Sequence, residues 1–183
     1  MKNTIVAVVG LCGAGKSEVT NIFVENGFEK VYFGDVTFDE IKKRNMEITE
    51  ENERVIREEL RATNDMAIYA KKSEPKIKKA YEEGENVVVE SLYSWSEYKY
   101  LKEIYKDSFK LLAVVTDRDL RAERLKNRLH RPLTDEEVTS RDYSQIENTE
   151  TAGPIAIADH FVLNNGTFEE LKKQVQEYID SII

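Results

Sequence analysis

Gly10-Leu11-Cys12-Gly13-Ala14-Gly15-Lys16-Ser17 decides how this chain is read. It follows the apolar run Thr4-Ile5-Val6-Ala7-Val8-Val9 and precedes a pattern in which Val19, Ile22 and Phe23 share one helical face. It therefore sits where a buried strand turns into a helix. Gly10, Gly13 and Gly15 let the backbone curl close to a polyphosphate without a Cβ clash, while the following helix offers unpaired N–H groups and the positive end of its dipole. Lys16 places a mobile point charge on the β- and γ-phosphates, and the Ser17 hydroxyl is a ligand for Mg²⁺. The expected nucleotide-binding stretch is Gly10, Leu11, Cys12, Gly13, Ala14, Gly15, Lys16, Ser17 and Glu18. The Cys12 thiol can be read as reactive, since a helix N-terminus lowers thiol pKa, or as a space-filling side chain with no second Cys to resolve it.

Around this loop, the 183 residues suffice for one domain, alone or with a small inserted lid. A net charge of −8 disfavours non-specific nucleic-acid coating, which needs a basic surface, so an anionic substrate requires a local basic cluster. One Cys excludes an intramolecular disulfide framework and suits a reducing cytosol. No stretch resembles a targeting segment or reaches the apolar length of a membrane span, so a cytoplasmic protein without a membrane partner is expected. Oligomeric state is not legible from these residues.

Along the chain, Asn26-Gly27 reads as a helix stop and Lys30 to Phe33 as a second strand ending at Gly34-Asp35. Asp35 has three readings: general base for a substrate hydroxyl, indirect Mg²⁺ ligand, or N-cap of a helix starting near Val36. The pattern from about Glu50 to Lys72 predicts one long helix, with Arg57 and Arg61 together on a flank. The two arginines could clamp an acceptor's phosphate or form surface ion pairs with neighbouring glutamates. Pro75 is expected to open a further helix, and Asn86 to Glu90 to form a third, fully buried strand. Glu90, at its end, sits where Mg²⁺-organising acids are found in folds of this kind.

Ser94 and Glu97 predict a capping box, and Tyr93, Trp95, Tyr98 and Tyr100 either stack a flat base or pack the helix flank. Lys110 to Val115 is the fourth strand. Arg121, Arg124, Arg128, His130, Arg131 and Arg141 then invert the local sign of an acidic chain, the composition of a clamp on transferred phosphoryl charge. Thr134 and Glu137 cap the next helix, and Thr149 to Pro154 reads as a loop. Asp159 to Leu163 is the fifth strand, Asn164-Asn165-Gly166 a turn, and Thr167 with Glu170 caps a last helix whose stripe runs from Phe168 to Ile182. His160 reads as a strand-flank residue.

Five strands alternating with helices, a phosphate loop after the first and an Arg-rich excursion after the fourth resemble the P-loop nucleotide-kinase superfamily over nearly the whole chain. The nearest patterns are dephospho-CoA kinase and an archaeal family related to CMP and AMP kinases. The segment Ala158 to Leu171 is similar to the dephospho-CoA kinase ending, and Arg141 and Gln145 fit that family's Arg-x-x-x-Gln helix. Gly34-Asp35-Val36, Glu59-Leu60-Arg61 and Arg141-Asp142 look more like the archaeal family. The resemblance implies a three-layer α/β/α fold with a five-stranded parallel sheet. It further implies an acceptor-binding helical region at about residues 35–83 and a small Arg-rich lid at about 121–148.

It also implies ATP and Mg²⁺, with Asn165 and Gly166 against the adenine, Arg124 stacked on it, Arg128 and Arg141 on the phosphates and Asp35 as base. Arg57, Arg61 and Glu90 then belong with Asp35 on the acceptor side. Phe33 stands where dephospho-CoA kinase has its first Asp, and Glu90-Ser91-Leu92 replaces its Asp-x-Pro. The expected activity is phosphoryl transfer from Mg·ATP to a small acceptor of dephospho-CoA type. The alternatives are a nucleoside monophosphate kinase and a non-enzymatic nucleotide switch, the last disfavoured because Thr116-Asp117-Arg118-Asp119 lacks the Asn and Lys of a guanine-specificity pattern.

Overall fold

The computed structural model describes residues 3–62, 65–129 and 131–183; His130 of the basic cluster lies outside them. The run after Thr4 forms β1 (Ile5–Val9), every residue of which is buried. A strand that is apolar on both faces has to be covered on both, and β1 lies at the centre of a five-stranded sheet. Its companions are β2 (Glu29–Tyr32), β3 (Val87–Glu90), β4 (Phe109–Val115) and β5 (His160–Leu163), in the spatial order β2-β3-β1-β4-β5. All pairings are parallel, with Ala7 opposite Val89 and Leu111.

Alternation along β1 sends Ile5, Ala7 and Val9 into one core and Val6 and Val8 into another. The first core is closed by helices α2 (Asp35–Lys43), α4 (Ile68–Glu82) and α5 (Trp95–Tyr105), through Val36, Ile77 and Leu101. The second is closed by α1 (Lys16–Glu25) and α9 (Phe168–Ile182), through Phe23, Val175 and Ile179. The expected three-layer α/β/α architecture results. The strand order reverses at β1, and the loops leaving the C-terminal ends of β1, β2, β3 and β4 converge there, where open α/β sheets bind ligands.

Four expectations about the helices are corrected. The single helix over 50–72 is two, α3 (Glu50–Arg61) and α4, because Asp65 Oδ1 accepts the Ala67 N–H and starts a new helix. Pro75 lies inside α4 rather than opening a helix; the carbonyl it leaves unpaired, on Lys71 four residues back, belongs to an exposed residue and can be met by water. Residues 149–154 are not all loop, since α8 (Ala152–Ala156) contains Pro154. Phe168, placed on the sheet-facing stripe of the last helix, is 49% exposed. The expected capping boxes at Ser94/Glu97, Thr134/Glu137 and Thr167/Glu170 are all formed, the second opening α7 (Asp135–Glu147).

Candidate functional site

The loop between β1 and α1 holds the left-handed and open backbone expected of it. Gly13 and Gly15 have φ of 81° and 98°. A Cβ on Gly15 would stand 2.2 Å from Asn164 Nδ2, which itself donates to Ala14 O at 2.8 Å. Gly15→Ala should therefore cost about 1–3 kcal/mol from backbone strain alone, the penalty for a side chain held at such a φ. Chemical denaturation would measure it, together with weakened nucleotide binding; a variant as stable as the parent would refute the packing described.

Lys16 folds back over the loop, donating from Nζ to Gly10 O at 2.8 Å and Leu11 O at 3.1 Å. Burial pushes its ammonium down to about 8, against the opposing pull of Cys12 and Glu90. The ring of Tyr93 lies under Nζ, 5.9 Å from its centroid. Ser17 Oγ donates to Glu90 Oε1 at 2.9 Å, and the other oxygen of Glu90 pairs with Lys30 Nζ. Glu90, read in the sequence both as a Mg²⁺-organising acid and as an acceptor-side residue, is thus brought to the Ser17 hydroxyl. A serine hydroxyl steered by a buried carboxylate, beside an open cradle of N–H groups, fits a divalent cation that takes its remaining ligands from phosphate and water.

Asp35 is the first residue of α2, and Gly34 is the cap. The Asp35 carboxylate faces Lys76 Nζ at 3.6 Å. Asp35, Glu53, Glu90 and Tyr93 all act on the Tyr32 hydroxyl, whose pKa is raised chiefly by burial. Tyr32 is in register with Glu90, so these groups gather near the C-terminal ends of β2 and β3. On α3, Arg57 pairs with Glu53 at 3.1 Å, and Arg61 lies over the Tyr69 ring at 5.5 Å. Phe33 is buried in the core. Of the other aromatics, Trp95 and Tyr98 stack at 5.1 Å as packing, and only Tyr93 turns to Lys16.

Behind the Tyr93 loop, Glu97 Oε2 accepts the N–H groups of Tyr93 and Ser94, both at 2.8 Å. Burial pushes this carboxyl up to about 7, although those N–H groups and Arg61 oppose the shift. An acid whose folded pKa lies above its unfolded value holds its proton more tightly when folded, so stability falls as pH rises from about 4.5 to about 7. The thermal midpoint should decline across that window in the parent and stay flatter in Glu97→Gln; parallel profiles would count against the assignment.

On the opposite flank is α6 (Arg118–Asn127). Arg124 Nη2 donates to Asn164 O at 2.9 Å, and Thr116 Oγ1 donates to Ala14 O at 3.0 Å. Asn165 Oδ1 accepts the Asp117 N–H at 2.9 Å, which fixes the turn that continues through Gly166. Arg128 Nε donates to the carbonyl of Arg131. Arg141 is exposed, and its charge acts on Lys16 and Tyr93. Sequence reasoning missed Thr116 and Asn164, which brace the loop at Ala14 across 102 and 150 residues, and Lys30, which holds Glu90. No local pattern announces contacts of that separation. Among the described residues no cluster of three or more His, Cys, Asp or Glu could hold a metal by itself, and no helix is long and apolar enough to cross a membrane.

The AAA domain family matches residues 6–147. A UPF0200 protein of Thermococcus gammatolerans is 33% identical over 182 residues, covering 98% of this chain and 95% of that protein. A UPF0200 protein of Aeropyrum pernix is 34% identical over 174 residues, covering 92% and 88%. Among solved structures, dephospho-CoA kinase from Campylobacter jejuni superposes with a TM-score of 0.57 at 16% identity, over 100% of this chain and 98% of that one. Shikimate kinase from Aquifex aeolicus gives 0.60 at 17%, over 97% of each. At these identities the likeness is one of fold, the P-loop kinase fold.

Proposed function

The chain belongs to the AAA-domain family and to the UPF0200 proteins, and we propose that it is a Mg·ATP-dependent phosphotransferase acting on a small, nucleotide-like, hydroxyl-bearing acceptor, in the manner of dephospho-CoA kinase. The observation that carries this reading is the Ser17–Glu90 hydrogen bond of 2.9 Å beside Lys16, with Asp35 just past the end of β2, the strand paired with that of Glu90. A switch needs the loop and a hydroxyl for the cation; an aspartate at the C-terminal edge of the same parallel sheet is what a hydroxyl acceptor needs.

In this reading residues 10–18 hold the triphosphate, Lys16 neutralises its outer phosphates, and Ser17 holds Mg²⁺ with Glu90 orienting the hydroxyl. When bound, the cation supplies charge neutralisation to the transferred group. Arg124 and the Asn165-Gly166 turn flank the base, Arg128 and Arg141 neutralise phosphoryl charge, and Asp35 accepts the acceptor's hydroxyl proton. Arg57 and Arg61 lie on the acceptor side, within a helical region of about 35–83, and about 121–148 forms the Arg-rich lid.

The test is transfer of radiolabelled γ-phosphate from Mg·ATP to a panel of dephospho-CoA, nucleoside monophosphates and hydroxylated metabolites. A labelled acceptor whose formation stops on chelation of Mg²⁺ supports the reading. A nucleotide-dependent change in partner binding with no labelled acceptor would replace it with the switch.

A further inference from the structure

Cys12 is gripped on both sides of its own residue. Its N–H donates to Gln145 Oε1 at 2.8 Å, and its carbonyl accepts from Arg121 Nη1 at 3.1 Å. Gln145 lies on α7 and Arg121 on α6, and the two helices are tied by a bidentate pair, Arg121 to Asp142, at 2.7 and 2.9 Å. Arg121 is 4% exposed and Asp142 5%, so what reads in the sequence as one more solvated cation is interior. A buried pair of this kind tolerates little displacement, because moving one partner strands the other's charge. Arg121 also closes the loop from above: a Cβ on Gly13 would meet its carbonyl at 3.0 Å. Arg141 precedes Asp142 on α7 and lies one turn before Gln145, on the helix face that Gln145 turns to the loop, near enough for its charge to oppose that of Lys16.

A phosphate cradle built from N–H groups at a helix N-terminus does not require any of this. We propose that Arg121, Asp142 and Gln145 are positioning residues: a latch on Cys12 that fixes α7 to the phosphate loop and thereby holds Arg141 facing the donor phosphates. The proposal rests on the reading that the loop takes ATP. It makes the root of the Arg-rich segment a fixed part of the nucleotide site, and loop and helix report on one another through a single residue.

Two measurements on the whole chain test it. In the protein without nucleotide, hydrogen exchange should find the Cys12 amide protected, and Gln145→Ala, a half-buried position, should remove that protection while the β1 amides stay protected. By calorimetry, Gln145→Ala should weaken Mg·ATP binding about tenfold, in the usual range for coupled sites. The same change made in an Arg141→Ala background should cost less than about twofold, because the latch acts through Arg141. Equal losses in both backgrounds would make Gln145 merely structural and overturn the proposal. So would a Cys12 amide that exchanges as fast in the parent as in the variant. A parent protein that bound no Mg·ATP would overturn the donor reading instead, and the exchange experiment would still decide whether the latch exists.

Discussion

Lys16→Ala is expected to lower phosphoryl transfer at least about a hundredfold, the scale for deleting one preorganised charge at a developing anion. The fold should survive. Among the described residues Lys16 Nζ donates to Gly10 O and Leu11 O, both in its own loop, so its loss breaks no hydrogen bond between distant elements. Circular dichroism and thermal midpoint should therefore match the parent while turnover collapses; unchanged turnover would remove Lys16 from the donor site. The same ammonium gives the pH dependence its sign. Burial holds it down to about 8, and bound phosphate would restore its charge, so Mg·ATP affinity should fall as pH rises through that value, with proton uptake on binding above it.

Asp35→Asn is the second large effect: turnover should drop by about a hundredfold to ten-thousandfold, the contribution of a positioned general base, with ATP affinity within about twofold of the parent. The geometry separates this from a helix-capping role. Gly34 is the cap of α2, and the Asp35 carboxylate stands 3.6 Å from Lys76 Nζ, with its charge felt at the Tyr32 hydroxyl. If only the thermal midpoint fell and turnover held, Asp35 would be a first-turn acid stabilising the helix dipole and nothing more.

What could be read in the sequence was local. Central strands of a parallel sheet are covered on both faces, so β1, Val87 to Val89 of β3 and Leu111 to Val115 of β4 appear as apolar runs that need no partner to be recognised. The phosphate loop and the three capping boxes are contained within a few residues and were legible for the same reason. The division of α3 from α4 was hidden because apolar spacing carried across the gap, while the decisive event was one Asp65 side chain competing for a backbone N–H.

Within the candidate site, the loop itself was legible and the residues that brace it were not. Asn164 and Thr116 reach Ala14 from the far ends of β5 and β4, and Gly15 is obligatory partly because Asn164 fills the space its Cβ would take. Arg121 looked identical to Arg124 and Arg128 until Asp142 buried it. Glu90 was placed at the right end of the right strand, but its hydrogen bond to Ser17 depends on the register of β3 against β1, which sets Glu90 opposite Val8.

The central claim is that the Gly10–Ser17 coil holds the phosphates of ATP. A crystal structure with a non-hydrolysable ATP analogue and Mg²⁺ tests it most directly. The account predicts the phosphates inside that coil, Lys16 Nζ withdrawn from the carbonyls of Gly10 and Leu11 and turned to the outer phosphates, and the cation at Ser17. Phosphates bound anywhere else on the protein, with Lys16 still folded over its own loop, would contradict it.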